Sequence, residues 1–174
     1  MSIVLIRHTR VMAAGLCYGW CNVPLAETFA AEAAATRSTL PWTPDEVWTS
    51  PAARCRALAD TLGIARLTEE PRLRELHMGA WEGRRWEEFR GPESEAWALD
   101  PWRRRAPGGE TGEEFWKRVA EVRAELRLRA SDGTRIAVVT HGGVIRAWRG
   151  IVEGRSLDEM MREPVGFGSV TVGI

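Results

Sequence analysis

The sequence predicts an α/β protein: a three-layer α/β/α sandwich around a mostly parallel sheet, with a helical lid insertion over residues 71–109. Two observations carry this. Short apolar runs alternate along the chain with longer segments of helical period, the arrangement that lays helices on both faces of a parallel sheet. At 174 residues the chain has the length of one domain with a core of its own, so residues 1–174 are read as a single domain.

The elements follow in order. Ile3 to Ile6 is an unbroken apolar run, read as a buried strand. Ala26 to Leu40 is Ala-rich and helical, stopped near Pro41. Glu46 to Thr49 is a short strand. Pro51 to Leu62 is a helix, with Ser50 expected as its N-cap, Pro51 at its first position and Gly63 as its stop. Ala65 to Thr68 is a weaker strand. Thr111 to Arg129 is the longest helix, with Phe115, Val119, Val122 and Leu126 on one face. Arg135 to Thr140 is an apolar strand, Gly143 to Val152 a helix, and Val170 to Ile174 a last strand. Between Pro71 and Gly109 the pattern changes: Trp81, Trp86, Trp97 and Trp102 sit among Gly, Pro and mixed charge. This stretch is expected to form short helices over one edge of the sheet, as a lid or site wall.

Composition removes several function classes. Lys plus Arg and Asp plus Glu both number 24, which argues against a nucleic-acid or membrane-surface partner recognised through excess positive charge. The run Trp102-Arg103-Arg104-Arg105 is the best feature for an RNA-binding module, and it reads better as a solvated loop. No apolar stretch is long enough to span a membrane, and Met1 to Ile6 does not resemble a signal peptide. Three cysteines are too few, and the wrong parity, for a disulfide framework. Cys17 and Cys21 lack a second ligand pair for a metal. A cytoplasmic protein without a metal or cofactor is expected.

Three strand ends carry the reactive side chains. The first strand ends at Arg7-His8-Thr9, the second at Thr49-Ser50 with Arg54 one turn further on, and the fourth at His141-Gly142-Gly143. Ligands of open α/β sheets bind beyond the carboxyl ends of the strands. Each residue alone reads as an ordinary turn or surface group. Together they place two Arg, two His and two helix N-termini at one edge, which repel one another unless an anion lies between them. A phosphate fits that demand. The run Leu73 to Gly83 then offers Glu75 and Glu82 as general acids, since a carboxyl beside an anion tends to hold its proton. His77 is left as a surface or structural residue.

These residues resemble the histidine phosphatase superfamily, also called phosphoglycerate mutase-like. Arg7-His8-Thr9 resembles its R-H-G/T signature and Ser50-Pro51-Ala52-Ala53-Arg54 its S-P-x-x-R. Leu73-Arg74-Glu75 with Gly79-x-Trp81-Glu82-Gly83 is similar to its L-x-E-x-x-x-G-x-W-E-G run. Pro107-Gly108-Gly109-Glu110-Thr111 is similar to P-G-G-E-S/T, and Val138 to Gly143 to V-x-H-G-G. The five stand in family order. The resemblance implies that His8 is the nucleophile, that Arg7, Arg54, His141 and the Gly142 N–H bind the phosphoryl group, and that Glu75 protonates the leaving oxygen and then activates water. It implies no metal.

Gly15 to Leu25 further resembles the G-x-C-Y-G-x-x-D-x-P-L stretch of α-ribazole-5′-phosphate phosphatases, which act in cobalamin assembly, and places Tyr18 near the substrate. Asn22 stands at that pattern's Asp, and Ala14 where many members have Asn. The resemblance thus implies a phosphatase of a small phosphomonoester. A bisphosphoglycerate-dependent mutase and a phosphohistidine protein phosphatase are the alternatives within the family, and an RNA-binding or interaction module is the alternative outside it. The oligomeric state is not legible.

Overall fold

The structure is a computed structural model that describes residues 2–172. Five strands form one sheet in the order β3-β2-β4-β1-β5. They are β1 (Ile3–Arg7), β2 (Glu46–Thr49), β3 (Leu67–Glu69), β4 (Ile136–Thr140) and β5 (Val170–Thr171). Four are parallel, and β5 joins β1 antiparallel at the edge. The sequence places the last strand over residues 170–174. Residues 170 and 171 carry it, and 173 and 174 lie outside the described residues.

The central strands β1, β2 and β4 are buried on both faces, and β1 and β4 accordingly read as nearly unbroken apolar runs. Successive side chains alternate between the two faces. Ile3, Leu5, Trp48, Ile136 and Val138 pack into one core, with α4 (Gly112–Arg129) and α5 (Gly142–Glu153). Val4, Ile6, Val47, Ala137 and Val139 pack into the other, with α1 (Phe29–Ser38) and α2 (Ala53–Asp60). That alternation is the three-layer sandwich the sequence predicts. On α4 the buried residues are Gly112 together with the expected face of Phe115, Val119, Val122 and Leu126, and Thr111 caps it reciprocally with Glu114.

One cap differs from expectation. The residue before α2 is Ala52, not Ser50, and the helix begins at Ala53 rather than Pro51. Ser50 stays in line with β2, where its N–H donates to the Val139 carbonyl at 2.9 Å. Its hydroxyl accepts from the Ala52 N–H at 3.3 Å and meets His141 at 2.8 Å. The Ala53 N–H is capped instead by Asn22 Oδ1 at 3.0 Å, from a loop far back in the chain.

The insertion contains three short 3₁₀ turns (Pro71–Leu73, Gly79–Trp81, Trp86–Phe89) and α3 (Pro92–Leu99). It has a small core in which Trp81 stacks on Phe89 at 4.9 Å and meets Trp97 edge-on at 5.8 Å, beside Cys17 and Met78. Its two ends close on Gly79, which has φ +50° and whose Cβ would lie 2.1 Å from the Pro107 carbonyl oxygen. Only glycine allows that approach. A short α6 (Leu157–Met161) packs against α5.

Candidate active site

In-register pairing of β1 with β4 sets Arg7 opposite Thr140. His8 and His141 therefore leave adjacent strands side by side, with ring centroids 5.3 Å apart. Both are buried, His8 to 2 % exposure. Nδ1 of His8 lies 2.7 Å from the Thr9 carbonyl oxygen. A carbonyl only accepts, so Nδ1 carries the proton and Nε2 keeps its lone pair. Burial first, then the Arg54 charge, and to a lesser degree that of Arg7, push the His8 pKa down to about 3, against a smaller opposing effect of the Thr9 carbonyl. His8 is a neutral base wherever the protein is folded near pH 7.

Arg54, on the first turn of α2, is 1 % exposed. Its Nη1 donates to the Cys21 carbonyl at 3.0 Å, and its Nη2 to the Gly19 carbonyl at 2.6 Å and to His141 Nδ1 at 3.2 Å. Its Nε is buried without a partner. Arg7 repeats the pattern: Nη1 donates to the Val165 carbonyl, the guanidinium lies 3.7 Å over the Phe167 ring, and Nε is buried without a partner. Unsatisfied buried guanidinium donors are costly and rare. A pair of them around His8 has the chemistry to receive an anionic oxygen.

His141 is held below its ordinary pKa by burial and by Arg54. Its Nδ1 accepts from Arg54, so Nε2–H donates to Ser50 Oγ. In this arrangement His141 orients Arg54. For it to donate to a phosphoryl oxygen, Nδ1 must take up a proton, a step that an incoming dianion favours.

Glu75 approaches from the insertion. Its Oε1 accepts from the Leu76 N–H at 3.0 Å and its Oε2 from the Gly143 N–H at 3.1 Å. A Cβ on Gly143 would lie 2.1 Å from Glu75 Oε1. Gly143→Ala is therefore expected to displace the carboxyl while the fold persists, since the clash falls on the end of a flexible side chain. Turnover of an alkyl phosphate should fall on the order of 10²-fold, the usual result of misplacing a reacting group by about 1 Å. Steady-state kinetics beside a thermal melt checks this, and a large drop in Tm with unchanged kcat would count against it.

The sequence places both helix N-termini toward the anion. Ala53 N–H is taken by Asn22 and Gly143 N–H by Glu75, which leaves Gly142 as the opening residue of α5. A Cβ there would stand 3.4 Å from the Arg7 guanidinium, so Gly142 borders the same space. The Tyr18 ring lies 5.2 Å from Arg54 and borders a cavity beside Glu75. Ala14 is an exposed turn residue.

The second acid candidate, Glu82, has a different task. Its carboxylate accepts from the backbone N–H groups of Trp20 and Met78, at 2.8 and 3.0 Å, and of Cys21. Burial raises its pKa, and these bonds together overcome that and lower it. It is an ionised strut that ties the Tyr18–Cys21 loop to the insertion.

Sequence reasoning missed the group that holds Glu75. Arg118 on α4 donates to the carbonyls of Arg72, Arg74 and Glu75 at 2.7, 2.6 and 2.9 Å, and pairs with Glu110. Trp20 Nε1 adds a bond to the Glu75 carbonyl at 2.8 Å, and the Trp20 ring stacks on His77 at 4.2 Å. His77 thus packs against the side chain that bonds the Glu75 carbonyl. Glu110 lies in a motif that the sequence displays; Arg118 and Trp20 have no local signal. Among the described residues no group of three or more His, Cys, Asp or Glu is placed to hold a metal ion.

A family model, histidine phosphatase superfamily (branch 1), matches residues 3–173. The chain belongs to this superfamily. Among solved structures, the histidine phosphatase fold here is similar to the alpha-ribazole phosphatase from Shigella flexneri, at 25% identity and a TM-score of 0.87 over 98% of this chain and 88% of that one. It is also similar to YhfR of Bacillus stearothermophilus, at 25% identity and a TM-score of 0.86 over 97% and 88%. A metal-independent phosphoserine phosphatase of Arabidopsis thaliana is 31% identical over 158 residues, which are 84% of this chain. The match spans 66% of that relative's length. No helix among the described residues of this superfamily member is long and apolar enough to cross a membrane.

Proposed function

We propose that the protein is a metal-independent phosphomonoesterase that works through a phosphohistidine on His8. One observation carries this reading: a neutral His8, its Nδ1–H fixed on Thr9, lies between two Arg whose Nε donors have no acceptor. A phosphoryl group supplies those acceptors. Its oxygens would be held by Arg7, Arg54, His141 and the Gly142 N–H. His8 Nε2 attacks phosphorus, the P–N bond forms, and the P–O ester bond breaks as the Glu75 carboxyl gives its proton to the leaving oxygen. Water then attacks phosphorus, Glu75 takes the water's proton, and the P–N bond breaks to release phosphate. Phosphoryl transfer asks mainly for positioning and charge stabilisation, and two guanidinium forks supply both.

α-Ribazole-5′-phosphate is the leading substrate, with a place in cobalamin assembly and a cytoplasmic setting. The Gly15–Leu25 stretch with Tyr18 supports it, as does the similarity to the Shigella enzyme. The Arabidopsis relative makes phosphoserine the second reading. The Trp102–Arg105 run gives an RNA-binding role little support: Arg105 pairs with Glu114 and Arg103 with Asp100.

Glu75→Gln tests the mechanism. An amide at this position neither gives nor takes the required proton, so alkyl phosphates should lose on the order of 10²–10⁴-fold in kcat. An activated aryl phosphate needs no protonation of its leaving group. With it, the variant should still phosphorylate His8 and then stall, leaving an acid-labile, alkali-stable phosphoenzyme in a quenched reaction. Equal losses with both esters and no trapped intermediate would remove Glu75 from the reaction.

A further inference from the structure

α5 starts beside the reactive groups and carries two arginines, Arg146 and Arg149. Arg149 is paired with carboxylates, Glu153 at 3.4 Å and Glu163 at 4.0 Å. Arg155, just past the helix, takes the same two. Arg146 is half-buried and does neither. Its Nε donates to the main-chain carbonyl of Glu163 at 2.8 Å. Among the described residues no carboxylate pairs with it, and its two Nη groups have no acceptor. A cation withdrawn from water is ordinarily paired.

The direction of the side chain gives the reason. Long helical side chains lean back over the preceding turn, so Arg146 lies over Gly142. Its Nη1 is 3.5 Å from the Cβ position of Gly142, and Arg7 Nε is 3.4 Å from the same point. Arg7 Nε is the buried donor that has no partner. Two guanidinium groups therefore close on one place at the edge of the anion pocket. Burial first holds the Arg7 pKa below its ordinary value, Glu75 and Tyr18 oppose that, and of the neighbouring cations Arg146 lowers it more than Arg54 does.

Nothing nearby offsets this concentration of positive charge. Arg146 lines the cavity beside Glu75, and among the described residues these two are the only charged side chains on that lining; Trp86, Trp97, Leu157 and Met161 supply much of the rest. The Glu75 carboxyl is engaged by the Leu76 and Gly143 N–H groups. Like charges facing one another raise the energy of the empty pocket and favour one filled by an anion. In phosphoryl transfer that anion spreads its charge over three equatorial oxygens, more than the Nε donors of Arg7 and Arg54 alone can meet.

We propose that Arg146 is a further catalytic residue, whose Nη groups bind an oxygen of the transferring phosphoryl group beside Arg7. The inference rests on the phosphatase reading above and adds a third guanidinium to the pocket. Its ligand is the phosphoryl group, not an acidic group on the alcohol.

Inorganic phosphate and vanadate contain no alcohol, so they separate these two ligands. Arg146→Met is expected to weaken inhibition by both ions. It should also lower kcat/KM for an aryl phosphate, ethyl phosphate and 3-phosphoglycerate alike, on the order of 10²-fold, as loss of one preorganised donor does. Arg146→Lys keeps the charge and gives up the Nε bond to Glu163. It should hold phosphate within about fivefold of wild type, since an ammonium serves a single phosphate oxygen as a point charge. If Arg146 merely anchors the Glu163 carbonyl, the Lys and Met variants lose activity and Tm together, which overturns the proposal. Unchanged inhibition by phosphate and vanadate in Arg146→Met overturns it too, and a loss confined to 3-phosphoglycerate then assigns Arg146 to acidic alcohols. Those results leave the phosphatase reading intact. No turnover of any ester by the wild-type protein, activated aryl phosphates included, overturns both.

Discussion

His8→Ala is expected to lower kcat/KM for an aryl phosphate on the order of 10⁴- to 10⁶-fold, the scale seen when a covalent nucleophile is deleted. The residual rate would come from the Arg pocket acting on water alone. The fold should survive. His8 is neutral and 2 % exposed, so alanine removes no paired charge and leaves a small cavity and one carbonyl, that of Thr9, short of a donor. That costs about 1–3 kcal/mol. Circular dichroism with a thermal melt checks the fold, and a quenched reaction checks for the phosphoenzyme. Activity within tenfold of wild type would remove the nucleophile from His8.

Arg54→Met should show two separable effects. The first is on catalysis: losing one preorganised donor set costs on the order of 10²–10³-fold in kcat. The second is on structure, because Arg54 also holds the carbonyls of Gly19 and Cys21. Leaving buried carbonyls unpaired costs about 1–3 kcal/mol each, and Tm should fall. A third readout tells a charge effect from disorder. Arg54 is the largest electrostatic influence on His8 after burial. Without that positive neighbour the protonated ring costs less, so the His8 titration, followed by NMR, moves up from about 3 towards the ordinary histidine range. A downward or absent shift would show that Arg54 does not face His8. Arg54→Lys should restore part of the His8 shift but little of the rate, since an ammonium lacks the planar fork.

The reach of the sequence follows from where information is local. Arg7, His8 and His141 are legible because they end or follow strands whose apolar runs are unmistakable, Arg54 because it stands one turn beyond a short strand, and the rule about carboxyl ends gathers them at one edge. The sandwich is legible for the same reason: Val4, Leu5, Val138 and Val139 are buried on both faces, and only a covered parallel sheet does that. The Ser50 cap is misread because its hydroxyl serves His141, from a strand made much later in the chain. Asn22 supplies a cap instead, which no local pattern announces. Glu82 looks like an acid by spacing alone, and its three backbone bonds make it a strut. Arg118 could not be found at all. It sits on α4, and the carbonyls it holds belong to the 72–75 loop. The cavity wall combines the insertion with α6, so its apolar character emerges only from packing.

The strand order has a consequence for how the molecule comes into being. β1, which carries Arg7 and leads into His8, pairs on one edge with β4 and on the other with β5. Both partners come from the last third of the chain. Of the five strands of this sheet, β1 is made first and satisfied last, an apolar ribbon with two open edges until residues 136–171 arrive. Such long-range pairing folds slowly and exposes a sticky intermediate. The pocket around His8 therefore takes shape only once residues 136–171 have joined β1.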